Sequence, residues 1–316
     1  MAKKFDFIVI GGGLVGCMAC LSISNSNKSV CLIEKNKLNK IISNDYSPLS
    51  LSINSVNFLK DKNIWDASLF KSSPIKSLYI KLFNSFNTIK ISSSDINLES
   101  LGNIVDKASL LSHLRDLCNK NENIEIIDNI EADIDSAESP SKIILPNTPK
   151  TISFSKLIIT DGANSKFAEK LNFANSNINY EQTSFIFNGE YESMEKSAVQ
   201  IFTKKGVFAV LPGNKKTKSI VATIHNKFIN NFNFESNNVD EELLVRELLP
   251  YVKDLKNLKL IYKHPLNTAR LNKWFSKNIL FIGNSSQLLH PFGAQGFNFA
   301  IDCIKKLDKQ WEYLSM

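Results

Sequence analysis

The sequence predicts an α/β protein: a Rossmann-like dinucleotide-binding domain with an inserted antiparallel β-sheet domain. Three observations predict it. Residues 5–34, FDFIVIGGGLVGCMACLSISNSNKSVCLIE, read as strand, glycine turn, helix, strand and acid. Residues 180–225 change to period-two alternation, as in Val207, Ala209 and Leu211, which marks an antiparallel sheet. Residues 278–298, NILFIGNSSQLLHPFGAQGFN, return to strand, turn and helix.

In the first stretch, the apolar run Phe7 to Ile10 suits a buried parallel strand. It enters Gly11, Gly13 and Gly16 at G-x-G-x-x-G spacing, with Leu14 and Val15 between the last two. The first glycine permits a tight turn, the second lets backbone approach a diphosphate, and the third lets helix lie close on strand. A diphosphate there would meet free N–H groups and the positive end of the helix dipole. The second strand, Val30 to Ile33, ends on Glu34 and Lys35. A carboxylate at that place accepts from a ribose 2′-OH and disfavours a 2′-phosphate.

The rest of the chain is read in order. Leu51, Val56, Phe58, Leu59, Ile64 and Trp65 suggest a helix and its exit, packed on the sheet. Residues 76–91 alternate and suit antiparallel strands. Residues 101–117 read as a helix with Ile104, Leu110, Leu111, Leu114 and Leu117 on one face. Ile124 to Ile127 is a further strand, and residues 132–150, with three prolines, read as an exposed hairpin or loop. The strand in SKLIITDGANSK ends on Asp161–Gly162, which puts a carboxylate at the C-terminal edge of a parallel sheet. Residues 239–258 read as a helix with Asp240 as N-cap. Phe297, Ile301, Ile304, Leu307 and Trp311 give the last helix one apolar face. These elements suggest a discontinuous binding domain of residues 1–75, 100–175 and 265–316, and a second domain of 76–99 and 176–264.

Composition narrows the function. The 316 residues are 43% hydrophobic, enough for a sizeable core, and contain no apolar run of membrane-spanning length. The N-terminus lacks a signal-peptide pattern, and five cysteines suggest reduced, buried thiols in a cytoplasmic protein. Cys17 and Cys20 form C-x-x-C inside the first helix, where core packing is the expectation. The net charge of +7 comes from scattered lysines, 35 of the 38 basic residues, with arginine only at 115, 246 and 270. No basic stripe interleaved with aromatics is present, so nucleic acid is not an expected partner; contact with an anionic membrane surface stays open.

Of the 12 glycines, none builds a second G-x-G-x-x-G for a nicotinamide cofactor. One dinucleotide must stay bound and carry the redox chemistry, which favours FAD, with any NAD(P)H a transient visitor. Pro291, Gly293 and Gly296 would let a loop approach the flavin ring and open a helix near Gln295 at its pyrimidine edge. His290, alone before a proline, is expected to be structural. No Cys/His pairs have metal-ligand spacing and no G-x-S-x-G occurs, so neither a metal site nor a serine hydrolase is expected.

With these motifs assembled, the chain resembles the class A flavoprotein monooxygenases. The match rests on Gly11 to Gly16 with Glu34, on Asp161–Gly162, and on Gly283–Asn284 followed by HPFGAQGFN. More narrowly it resembles the ubiquinone-biosynthesis hydroxylases, through DYSPLSLSINSVNFLKDKNIWD, INYEQTSF, VFAVLP and HPLNTARLNKWFSKNILFIGN. The resemblance implies a para-hydroxybenzoate-hydroxylase-like fold, in which an interrupted FAD-binding domain lies under an antiparallel sheet roofing the substrate. It implies reduction by NAD(P)H or an electron-transfer partner, then O2 activation as a flavin hydroperoxide that hydroxylates a polyprenylated phenol or quinone precursor. Gly11, Gly13, Leu14, Val15, Gly16, Glu34 and Lys35 would hold the ADP half, and Asp161 and Gly162 the middle. Gly283 and Asn284 would face the ribityl chain, and Pro291, Gly293, Ala294, Gln295, Gly296, Phe297 and Asn298 the isoalloxazine. No catalytic acid or base is singled out.

Three positions depart from that family. Asn284 replaces an aspartate, and Ala168 and Ser47 replace arginines, changes that bear on FAD affinity and nicotinamide handling rather than on the fold. The family's chain runs several tens of residues further as helices closing the substrate side. Ending at Met316, this one suggests a pocket either more open or completed by a biosynthetic partner. Two other readings share the fold: a non-catalytic subunit of a biosynthetic complex, and a flavin-dependent prenyl reductase. An apolar substrate would further suggest peripheral contact with the inner face of the cytoplasmic membrane.

Overall fold

The computed structural model describes residues 3–38, 46–82, 87–146, 151–192, 196–213, 218–232 and 253–314. The chain opens with β1 (Lys3–Ile10), α1 (Leu14–Ser24), β2 (Val30–Ile33), β3 (Pro48–Ser52), α2 (Ile53–Asp61), β4 (Ser73–Ile75), β5 (Ser77–Leu82) and β6 (Thr88–Ser92). Next come β7 (Gly102–Asp106), α3 (Lys107–Lys120), β8 (Ile124–Ile127), β9 (Asp133–Ile134), β10 (Lys142–Ile144), β11 (Thr151–Ile159) and α4 (Lys166–Lys170). The second half holds β12 (Asn175–Glu192), β13 (Ser197–Phe202), β14 (Gly206–Leu211), β15 (Lys218–His225) and β16 (Lys253–Leu271). It closes with β17 (Phe275–Ser276), β18 (Ile279–Phe281), β19 (Gln287–Leu288), α5 (Gln295–Asp308) and α6 (Trp311–Leu314).

Strands β18, β11, β1, β2 and β8 run parallel in that order. Such strands are covered on both faces, which is why β1 and β2 read as unbroken apolar runs. Phe7 and Val9 face a core shared with α1, α3 and α5, while Ile8 and Ile10 face a second core that includes Phe154, Phe167 and Phe281. Helix α1 is buried at every residue but Val15, as its apolar circumference requires. Trp311 seals this side: it packs edge-on against Phe7 at 5.6 Å, and its Nε1 donates to Ser22 Oγ at 2.8 Å.

A second sheet has the order β19-β16-β12-β15-β14-β13-β5-β6, antiparallel throughout except that β5 and β13 run parallel. One face is a core of Phe185, Phe187, Phe208, Val210, Ile220, Ala222 and Ile224. Period two puts Ile186, Val207, Ala209, Leu211 and Val221 on the other face, where they stay half-buried. The strands β3, β7 and β4 form a small third sheet that meets this face around Tyr46, Ile104 and Ala198.

Several expectations change. Residues 102–106 form β7 rather than the start of a helix, so Ile104 is a buried strand residue and the helix begins at Lys107. Leu51 likewise lies in β3, ahead of α2. In both cases a strand that ends directly at a helix N-cap mimics helical spacing. The helix expected over residues 239–258 lies outside the described residues as far as 252, and residues 253–258 belong to β16. Strands β9 and β10 do pair as a hairpin, but Ile134, Ile143 and Leu145 are buried in the core rather than exposed. Among the described residues no helix is long and apolar enough to cross a membrane.

Candidate functional site

All three glycine-bearing motifs arrive at the same end of the parallel sheet. From β1 the chain steps to β2 and β8 on one side and to β11 and β18 on the other, so the crevice beyond β1 and β11 is a topological switch point, where α/β sheets bind ligands. Gly11 follows β1, Asp161 and Gly162 follow β11, and Gly283 and Asn284 follow β18.

The glycine turn is tightly built. Gly11 has φ +102°, and a Cβ there would lie 2.6 Å from Thr160 O. A Cβ on Gly16 would lie 1.8 Å from Gly11 O, so only glycine lets α1 approach the turn this closely. A Cβ on Gly13, in contrast, would meet nothing within 4 Å. Gly13 is the N-cap of α1 and supplies no side-chain cap, so no N-cap side chain satisfies the first-turn N–H groups. Thr160 Oγ1 donates to Ile10 O at 2.7 Å and to Gly11 O at 3.0 Å, joining two motifs.

Glu34 holds the turn from the far side. Its Oε2 accepts from Gly12 N at 2.6 Å, and its Oε1 accepts from Asn36 N at 2.9 Å and Asn36 Nδ2 at 3.1 Å. One acceptor site on Oε2 is left for a ligand hydroxyl. Lys35 is exposed. Arg115, which the motif reading passed over, donates from Nε to Gly12 O at 3.2 Å and from Nη1 to Leu38 O at 3.0 Å. Its signal was compositional: an arginine kept where the chain otherwise uses lysine marks a place that needs the guanidinium fork.

Asp161 supplies an independent test of fit. Its Oδ1 is buried with no hydrogen-bond partner among the described residues, and burial pushes the carboxyl above its ordinary range. A polyhydroxylated ligand would supply the missing donor. Val15 packs where a Cβ on Gly283 would point, at 3.0 Å, and a Cβ on Gly296 would lie 3.8 Å from Asn284 Oδ1, so the first and last motifs also touch. Asn284 lines a polar cleft of about 1060 Å³ together with Ala163, Asn164, Ala168 and Arg270.

The loop before α5 joins this edge to the second sheet. Phe292 packs on Phe202 with ring centroids 5.8 Å apart, and Phe202 pairs with Leu82 in the strand register. Asn298 accepts from Ser52 N and Ser55 Oγ, both at 2.8 Å, and donates to Ser50 O at 2.9 Å and Ala294 O at 2.7 Å. That is the whole capacity of its amide, so Asn298 acts by placing the loop. His290 is held between Phe292 N and Gln182, in keeping with a structural role. The uncapped helix, the orphaned Asp161 oxygen and the methyl-free turn fit a dinucleotide along the crevice.

Known proteins share this fold. The chain is similar to the mitochondrial ubiquinone biosynthesis monooxygenase COQ6 of Dictyostelium discoideum, 24% identical over 96% of this chain and 75% of the relative. It is similar to ubiquinone hydroxylase UbiL of Rhodospirillum rubrum, 18% identical over 95% and 70%. Among solved structures, Pseudomonas aeruginosa PqsL in complex with 2-aminobenzoylacetate superposes with a TM-score of 0.81, at 14% identity over 98% of this chain and 86% of that one. The tetrameric 2-methyl-3-hydroxypyridine-5-carboxylic acid oxygenase gives 0.77, at 16% identity over 98% and 82%. Residues 6–207, more than half of the chain, match the family described as glucose inhibited division protein A. The chain belongs to that family of FAD-binding proteins, and its fold is that of the class A FAD-dependent monooxygenases.

Proposed function

We propose that this protein is an FAD-dependent monooxygenase that hydroxylates an aromatic, polyprenylated quinone precursor in ubiquinone biosynthesis. The observation that carries the reading is the meeting of three glycine-bearing motifs at one sheet edge, beneath a half-buried apolar sheet face. In this reading residues 1–75, 100–175 and 265–316 form the FAD-binding domain, and residues 76–99 and 176–264 the substrate domain.

Gly11 to Gly16 and the N-terminus of α1 hold the diphosphate, Glu34 takes a ribose hydroxyl, and Asp161 and Asn284 take hydroxyls of the ribityl chain. The loop from Pro291 to Gln295 flanks the isoalloxazine. When bound, FAD supplies the redox chemistry, taking electrons from NAD(P)H or a reductase partner and passing them to O2. The protein orients the ring and keeps water out. Ile186, Val207, Ala209, Val221 and Phe202 make that roof apolar, which protects the reacting centre from water. The cleft at Arg270 is suited to a visiting nicotinamide dinucleotide, with Arg270 as its arginine because Ala168 carries no charge.

An apolar strip supports the prenyl tail. From Phe292 it runs through Phe202 and Ile80 to Leu82, Ile89 and Ile91 at the free edge of the sheet, where the last three are 53%, 54% and 40% exposed. Lone exposed aliphatics are ordinary, but a contiguous strip that begins at the cofactor loop suits a tail. Replacing Ile89 and Ile91 with glutamine is expected to leave stability unchanged and to raise KM about tenfold for a long-tailed substrate only. Steady-state kinetics on precursors of different tail length measure this. The same strip suits peripheral contact with the cytoplasmic membrane face, or with a partner in a biosynthetic complex.

The test is to purify the protein, record its visible spectrum and identify any released cofactor, then to follow O2 uptake with a hydroxylated product. Stoichiometric FAD and coupled product are the expected results. A colourless chain that also rejects added FAD would overturn the reading and favour a non-catalytic subunit. Anaerobic turnover would favour a prenyl reductase. Arg115→Lys, which keeps the charge and loses the fork across two carbonyls, is expected to weaken FAD binding about tenfold, measured by fluorescence titration of the apoprotein.

A further inference from the structure

We propose that Gln182 is a positioning residue that couples the substrate-facing sheet to the cofactor loop through His290. The inference rests on the reading of the loop before α5 as the segment that faces the flavin.

That loop is an unusual piece of backbone. Gly293 has φ 68° and Ala294 has φ 51°, so two successive residues lie in the left-handed region, the second with a side chain. Such a conformation persists only where its surroundings hold it. Asn298 holds the helical end through its four hydrogen bonds to the strand-helix corner at residues 50–55 and to Ala294. The other end needs a separate anchor, and His290 provides it.

The hydrogen-bond directions around His290 are determined. Phe292 N donates to His290 Nδ1 at 3.2 Å, so Nδ1 is an acceptor and the ring proton sits on Nε2. Nε2 lies 3.0 Å from Gln182 Oε1 and donates to it. The Gln182 amide is thereby oriented, with its Nε2 turned to the imidazole of His225 at 3.3 Å. Tyr180 closes the ring from its edge, centroids 4.8 Å apart. Burial lowers the affinity of His290 for a second proton, in keeping with a neutral ring.

Gln182 lies on β12 opposite His225 on β15, in the same side-chain row as Ser184 and Ile186, the row that faces the roofed space. A displacement of that face therefore reaches the backbone N–H of Phe292 through two hydrogen bonds, while Asn298 keeps the helix end still. Neither His290 alone nor the glycines of the loop make this connection; it needs a residue on the sheet that offers an acceptor to His290 Nε2.

The test uses Gln182→Leu, of similar size with neither donor nor acceptor, and Gln182→Glu, which keeps an acceptor for His290 Nε2. Proton and nitrogen-15 NMR at pH 8 of the protein without FAD should show the Nε2 proton of His290 exchanging slowly with solvent in the parent chain and in Q182E, and about tenfold faster in Q182L. With FAD, Q182L should weaken binding about fivefold to tenfold and raise the peroxide formed per NADPH oxidised, with Q182E close to the parent. Unchanged exchange of that proton in Q182L would overturn the clamp. Faster exchange with unchanged FAD affinity and peroxide yield would overturn the coupling. A parent chain that binds no FAD would instead defeat the functional reading, while the exchange measurement still decides the clamp. Should Q182L not fold, Gln182→Met, which likewise offers no acceptor to His290 Nε2, carries the same readouts.

Discussion

Gly16→Ala is expected to give a protein that melts roughly 5–10 °C lower and does not retain FAD. The added methyl would sit 1.8 Å from Gly11 O and 2.8 Å from Thr160 Oγ1. One neighbour is backbone in a turn whose own glycine has φ +102°, and the other donates to the carbonyls of Ile10 and Gly11, so neither can yield cheaply. Helix α1 must move away from β1, and the whole first core moves with it. Gly13→Ala is the informative partner. The backbone at Gly13 has φ −80°, which alanine adopts freely, and its Cβ would enter open space. Gly13→Ala is therefore expected to melt within about 1–2 °C of the parent, yet to bind FAD at least tenfold more weakly, because the methyl occupies the approach to the first-turn N–H groups. Thermal melts with FAD titrations separate the two effects. Wild-type FAD affinity in Gly13→Ala would mean that the diphosphate lies elsewhere.

Asn298→Ala is expected to cost about 3 kcal/mol and to lower FAD affinity about tenfold or more. The amide joins three elements, and truncating it leaves the N–H of Ser52 and the hydroxyl of Ser55 without their acceptor, and the carbonyls of Ser50 and Ala294 without their donor. Asn298→Asp should not rescue the loss. A carboxylate can still accept from Ser52 and Ser55, but it faces two carbonyl oxygens where the amide donated. Chemical denaturation gives the stability term, and the visible spectrum of bound flavin reports the loop. Parent-like behaviour of Asn298→Asp would mean that the donor half of the amide contributes nothing.

The acidic limb of stability has a defined sign. His290 binds its proton less readily in the folded chain than in the unfolded one, because burial penalises the charged ring. Its contribution is fully present above the ordinary imidazole range and is lost as the pH falls through its lowered value. Acidification also removes the acceptor that Nδ1 offers to Phe292 N, so it acts on the loop before α5 first.

What the sequence determined by itself is the chemistry that a short segment can encode. Strand, glycine turn and helix at residues 5–34 are consecutive, and each step is governed by local sterics and periodicity, so the fold class and the dinucleotide end were legible. The same holds for Asp161–Gly162 at a strand end and for the helix that opens at Gln295. Periodicity failed at residues 101–117 and around Leu51, because a strand abutting a helix N-cap keeps an apolar rhythm close to helical, and only pairing with a neighbouring strand distinguishes them. The partners of Glu34, Arg115, Gln182 and Asn298 could not be read at all. Their hydrogen bonds span 22, 103, 108 and 246 residues, to Gly12, Gly12, His290 and Ser52. No local rule links positions so far apart. Sheet order and register bring them within 3 Å or so, and that closeness decides that Glu34 first shapes the turn, that Asn298 is a brace, and that the second sheet is tied to the loop before α5.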